Sequence, residues 1–172
     1  WPDLNRNLYS NISNQFVSAM QRCHDQVLGE LLDTGLKDKV VLETHINGYF
    51  FAYNHITSIP PECLYIVTDK FPEMLYMYKK LIEKLNRPVN FLFIADNTMN
   101  LPLKPGCVDL VVDFMSDVEH CLYNPTPYIS LLKPFLKSQA FILGTVIGYH
   151  GLNRSQILLH KKYPESAEPP MN

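Results

Sequence analysis

Glycine is scarce in this 172-residue chain, which has 7, and neither sign of charge predominates: 15 Lys and Arg stand against 17 Asp and Glu, for a net charge of −2. The basic residues are scattered, and the one short cluster, Lys161-Lys162, lies near the end. Such a chain has no basic face to attract nucleic acid or an anionic membrane, so neither is expected as a partner. No apolar run approaches the roughly 20 residues that span a bilayer, and no segment reads as a signal peptide. The 4 cysteines, Cys23, Cys63, Cys107 and Cys121, form no CxxC pair and no zinc-ligand spacing. Buried, reduced thiols in a cytoplasmic protein are the expectation. The apolar fraction, 47%, suits one domain with a substantial core. The chain starts at Trp1 rather than Met and closes on a polar, Pro-rich stretch from Lys161 to Asn172. Both ends read as cuts through a longer protein.

What is present is a set of strand-like segments that end on acidic residues. They are Val40-Val41-Leu42-Glu43, Leu64 to Asp69, Val89 to Asp96 and Val108 to Asp113. Near-continuous apolar runs of this length predict strands buried on both faces, as in a parallel sheet covered by helices. Ligands of such sheets bind beyond the carboxyl ends of the strands. A carboxylate there accepts hydrogen bonds from ribose hydroxyls or an adenine amino group, provided it stays wet enough to ionise. A small-molecule or nucleotide-like ligand is therefore the expected partner.

Between the strands the pattern turns helical. Phe16, Met20, Val27, Leu28 and Leu31 predict a helix over about Gln15 to Leu32, stopped by Gly35. A short helix from Tyr49 to about Ile56 is ended by Pro60-Pro61. Pro72 opens another that runs to about Leu85, with Met74, Leu75, Tyr78, Leu81 and Leu85 as its inner stripe. Thr126-Pro127 starts a further helix that Pro134 kinks or ends, and Ala140 to Ile147 reads as the fifth strand. Helix and strand alternate, with no internal repeat. The fold class is α/β with a mostly parallel sheet.

From Lys39 to Gly148 the sequence resembles the class I S-adenosylmethionine (SAM) dependent methyltransferases. Leu64 to Leu75, with Asp69-Lys70-Phe71-Pro72-Glu73-Met74, is similar to the family's second-strand segment, an acidic residue followed by Ser-Pro-Glu-Met. Phe91 to Asp96, followed by Asn97 to Pro102, is similar to its third-strand segment, and Val108-Asp109-Leu110-Val111-Val112 resembles the Phe-Asp-Leu-Val run of its fourth strand. Leu136-Lys137 resembles the start of its Leu-Lys-Pro-Gly-Gly turn. The resemblance implies a three-layer α/β/α Rossmann-like sandwich: an N-terminal helical segment over 1–38, the core over 39–148, and a tail or connection over 149–172. It also implies the cofactor S-adenosylmethionine. Glu43 would close the first strand, His45, Asn47 and Gly48 would form the cofactor turn, and Asp69 with Lys70 would stand at the ribose. Asp96 and Asn97 would face the adenine, with Phe114 and Met115 lining the floor. Family sheets continue past the fifth strand, whereas no clear strand is legible here after Gly148. A further part of the protein, or a dimer contact, is expected to cover that edge.

The first turn departs from the family pattern, acidic-x-Gly-x-Gly-x-Gly: His45, Asn47 and Tyr49 hold the glycine places, and the turn's one glycine, Gly48, falls between them. Glycine there permits positive φ and close approach of a ligand to the backbone. Asn47 tolerates a left-handed conformation, while His45 and Tyr49 add bulk. Phe71 replaces the small residue before Pro72, and Ser138-Gln139-Ala140 stands in place of Pro-Gly-Gly. Two functions follow as expectations. One is a domain that kept the fold and lost or weakened methyl transfer, serving as a ligand-sensing or interaction module; similar domains occur appended to bacterial regulators. The other is an active methyltransferase on an unidentified substrate. Bland roles compete at each site residue: Asp69 as a turn carboxylate before Pro72, Asp96 as a solvated turn, His45 as a plug. The aromatic set Tyr49, Phe50, Phe51 and Tyr53 reads as core. Asp117, Glu119, His120 and Cys121 are adjacent in sequence and point different ways, so no metal site and no Cys–His catalytic pair is expected there.

Overall fold

The computed structural model describes residues 18, 21–46, 50–86, 88, 90–96, 100–114 and 126–144. Helix α1 covers residues 21–33 and ends where Gly35 takes φ +69° and donates its N–H to the Leu32 carbonyl at 3.0 Å. The following elements are β1 (Val40–Glu43), α2 (Phe51–Asn54), a 3-10 turn (Ile56–Ser58), β2 (Leu64–Asp69), α3 (Pro72–Lys84), β3 (Asn90–Ala95), β4 (Val108–Asp113), α4 (Thr126–Leu132), a second 3-10 turn (Lys133–Phe135) and β5 (Leu136–Gly144). The five strands form one sheet in the order β3-β2-β1-β4-β5, and every pairing is parallel. The chain steps outward from β1 to β3 and then returns to β4 on the other side of β1. The crevice between β1 and β4 is thus the topological switch point, where ligands of such sheets bind.

Side chains alternate across the sheet and build two cores. On one face Val41, Tyr65, Val67, Leu110 and Val112 pack with Leu31 of α1, Phe51 and Ala52 of α2, and Leu75 and Ile82 of α3. On the other, Leu42, Ile66 and Val111 pack with Tyr128 and Leu132 of α4. Three layers result. Burying one such aliphatic or aromatic side chain stabilises the fold by about 1.5–3 kcal/mol.

Several expectations need correction. Burial on both faces holds for β1, β2 and β4 but fails for the third strand: β3 lies at the sheet edge, and Leu92 is 42% exposed. The inner stripe of α3 is completed by Ile82, whereas Leu85 falls just past the helix and is exposed. The helix after β1 is only one turn long before the 3-10 turn takes over. The fifth strand starts at Leu136, four residues earlier than Ala140. It contains a bulge: Val108 pairs Leu136 and Leu110 pairs Phe141, a step of two in β4 against five in β5. Ser138-Gln139-Ala140 lies in that bulge. Cys63 is buried as expected and Cys107 partly so, but Cys23 is exposed on α1; Cys121 lies outside the described residues. Among the described residues no helix is long and apolar enough to cross a membrane.

Candidate functional site

The carboxyl ends of β1, β2 and β4 bring together Glu43, Asp69 and Asp113, which are 1%, 0% and 0% exposed. The expectation of wet carboxylates at the strand ends is overturned for all three. Phe50, Phe51 and Ile46, each buried, close over the end of β1, and Phe114 over the end of β4.

Glu43 turns back into its own chain. Its Oε1 accepts the Phe51 N–H at 2.6 Å and its Oε2 accepts the Ala52 N–H at 3.0 Å. Those donors open α2, the helix whose free N–H groups at a switch point ordinarily meet an anionic or polar ligand. Burial pushes the Glu43 pKa up to about 8, with the charge of Asp113 adding to it, against the pull of the two backbone donors. Tyr65 lies against the same carboxyl, and burial and Glu43 hold its phenol well above the usual range. Its Oη interacts with Glu43 electrostatically without a hydrogen bond of good geometry among the described residues.

Past β1 the backbone hangs between both neighbours of the strand. The Thr44 N–H donates to the Val112 carbonyl at 3.0 Å and the Ile46 N–H to the Thr68 carbonyl at 3.2 Å. His45 sits between them at φ +39°, and its N–H donates to Thr68 Oγ1 at 3.1 Å. This histidine thus adopts the left-handed backbone at the first glycine place of the family turn, a conformation uncommon for a non-glycine residue. Asn47 and Gly48 lie outside the described residues.

Asp69 Oδ1 accepts the Phe71 N–H at 2.7 Å, the geometry of a turn carboxylate leading into α3. Its carbonyl accepts the Asp96 N–H at 2.9 Å, which extends the β2–β3 pairing and sets Asp96, half-buried, beside it. Lys70 is exposed, with Nζ 5.0 Å from the centroid of the exposed Phe71 ring. Phe114 is buried against Phe51 at 5.1 Å and His24 at 5.9 Å between ring centroids. Asn97 and Met115, like Asp117, Glu119 and His120, lie outside the described residues.

Sequence reasoning missed two polar clusters here. In the first, Thr44 Oγ1 donates to Asp113 Oδ2 at 2.9 Å and shares a hydrogen bond with Tyr128 Oη at 2.7 Å, tying the ends of β1 and β4 to α4. Asp113 had a signal, since it ends its strand as Glu43 ends the first. In the second, His24 of α1 and His55 after α2 lie 6.1 Å apart between ring centroids, walled by Phe51 and Tyr65. Burial, then the neighbouring His24, lowers the His55 pKa to about 4. Among the described residues neither ring nitrogen of His55 makes a hydrogen bond of good geometry, although the Phe51 backbone pulls its pKa upward. Nothing in the spacing of these two histidines foretold their meeting.

No protein-family profile matches the chain, and no curated protein matches it. Solved structures do. A SAM-dependent methyltransferase from Aquifex aeolicus superposes with a TM-score of 0.56 at 20% identity, over 69% of this chain and 62% of that one. An S-adenosylmethionine-dependent methyltransferase from Clostridium acetobutylicum gives 0.60 at 13% identity, over 88% and 61%. Phosphoethanolamine N-methyltransferase 2 of Haemonchus contortus, in complex with S-adenosyl-L-methionine, gives 0.55 at 16% identity, over 81% and 32%. The chain therefore spans less than two thirds of the length of each of these proteins. At such identities the likeness is one of fold, and the fold is that of the class I SAM-dependent methyltransferases.

Proposed function

We propose that this is a methyltransferase-like domain that has lost or weakened methyl transfer and works as a ligand-sensing or interaction module. The observation that carries this reading is the bidentate contact of Glu43 with the Phe51 and Ala52 N–H groups. The helix start that a cofactor would approach is occupied by the protein's own carboxyl group. Two further features support it. Asp69, assigned to the ribose by resemblance, is 0% exposed with one oxygen on the Phe71 N–H, and Phe114 is packed into the core. These features weigh against S-adenosylmethionine at this end of the sheet. The alternative, an active methyltransferase, draws on the fold and on the position of Asp69 at the carboxyl end of β2. Titration calorimetry with S-adenosylmethionine and its demethylated product separates the two. The expected result is no dissociation constant tighter than about 1 mM, roughly −4 kcal/mol. Micromolar binding of either compound would instead establish a working cofactor site and favour the enzyme.

A further inference from the structure

An opening lies at the amino ends of β1, β4 and β5. A cavity of about 560 Å³ lies between the end of α1, the start of β4 and the bulge of β5. Its size is in the range of small-molecule sites. The β5 bulge accounts for its existence, because the extra residues of β5 leave the sheet between Val108 and Leu110 without close pairing. Lys39, Asp109 and Lys137 supply its charge, while Leu110, Ala140 and Phe141 supply an apolar wall. Phe141 is 61% exposed, an unusual state for a phenylalanine on a strand.

Asp109 lies between the two ammonium groups. Its Oδ2 accepts Lys137 Nζ at 2.7 Å and the Val40 N–H at 2.9 Å, and its Oδ1 lies 3.8 Å from Lys39 Nζ. An ammonium carries three donors, so Asp109 leaves most of this donor capacity available to a second acceptor. Two lysines against one aspartate give the opening a net charge of +1. Both lysine side chains are 44% exposed, so they reach a ligand without uncovering the core.

We propose that this cavity is a binding site for a small organic carboxylate with an apolar or aromatic body, the carboxylate held by Lys39 and Lys137 and the body laid on Phe141. The site is on the opposite end of the sheet from Glu43 and stands whether or not the carboxyl-end site takes a cofactor. A probe of this chemistry is 3-phenylpropionate, with 3-phenylpropan-1-ol as its uncharged counterpart. In the full chain, the acid should shift the amide resonances of Thr34 and Ser138 and bind at least about tenfold more tightly than the alcohol, as charge-assisted hydrogen bonds require. Lys39→Met and Lys137→Met should each reduce that preference severalfold, and Phe141→Ser should weaken acid and alcohol alike. If Lys137→Met disturbs folding, Lys39→Met and Phe141→Ser carry the test, since Lys39 lies 3.8 Å from Asp109 against 2.7 Å for Lys137, and Phe141 is 61% exposed. Equal binding of acid and alcohol, binding unchanged in the folded variants, or no resonance shift at about 10 mM acid, well weaker than a typical metabolite site, would each overturn the proposal.

Discussion

At the carboxyl ends of the strands Glu43, 1% exposed, hydrogen-bonds to two backbone N–H groups of its own chain, whereas at the amino ends Asp109 faces a cavity with Lys39 and Lys137 beside it. Each carboxylate binds the backbone, but what surrounds them differs. Aromatic side chains from the segment after β1 close the first site, and burial raises the Glu43 pKa. Around Asp109, burial also raises the pKa, but Lys137, the Val40 N–H and Lys39 outweigh it and leave the carboxyl below its ordinary range. The same sheet thus keeps one carboxyl group as an internal brace and another as a charge paired with two part-exposed lysines. What a carboxyl group at the end of a strand does depends on the side chains that reach over it.

The strongest way to break that comparison is to remove the brace. Glu43→Ala leaves two helix-opening N–H groups without an acceptor and empties part of a packed core. The expected loss is about 3–5 kcal/mol, a large share of a domain's usual 5–15. Urea unfolding measures it. A loss under about 1 kcal/mol, the scale of an ordinary surface change, would mean that Glu43 does not hold α2 in place.

Acidity offers the next test. The Glu43 pKa rises from 4.5 to about 8 on folding, so its contribution to stability is full below pH 4.5 and declines as pH rises towards 8. The His55 pKa falls from 6.5 to about 4, so its contribution is full above pH 6.5 and is lost as pH falls towards 4. Between pH 4.5 and 6.5 the two slopes oppose one another, and above pH 6.5 only the Glu43 decline remains. From there to pH 8 the wild type should lose about 2 kcal/mol that Glu43→Gln does not lose, whatever that substitution costs at pH 6. Parallel slopes for wild type and variant would place the titrating group elsewhere.

The fold was legible wherever an apolar run is sandwiched between helices. β1, β2, β4, α3 and α4 follow the pattern of Val40-Val41-Leu42, Tyr65-Ile66-Val67 and their counterparts nearly residue for residue. Legibility failed at the edges. The run Phe91 to Ala95 is as apolar as its neighbours, and only the strand order reveals that one side of it is open. The start of β5 was hidden because its bulge holds the polar Lys137-Ser138-Gln139, which reads as a loop. The site was less legible than the fold. That carboxylates stand at the strand ends follows from local sequence, but their closure depends on Phe50, Phe51, His24 and Phe114, whose meeting is a tertiary event.

The smallest effect belongs to Asp109. Asp109→Asn keeps an oxygen for the Val40 N–H and gives up the pairing with Lys39 and Lys137, whose side chains are each 44% exposed. The Asp109 side chain itself is 13% exposed, but the lysine ends of both pairs stand partly in solvent, so the pairing is screened and the stability change should be on the order of 1 kcal/mol. Affinity should move the other way. With the aspartate charge gone, the two lysines face the cavity unopposed, and 3-phenylpropionate should bind severalfold more tightly while 3-phenylpropan-1-ol is unchanged. Calorimetry of the variant with both compounds reads the two quantities side by side. A loss well above 1 kcal/mol would make Asp109 a structural brace like Glu43, and weaker binding of the acid would show that the aspartate orients the lysines more than it competes with the ligand.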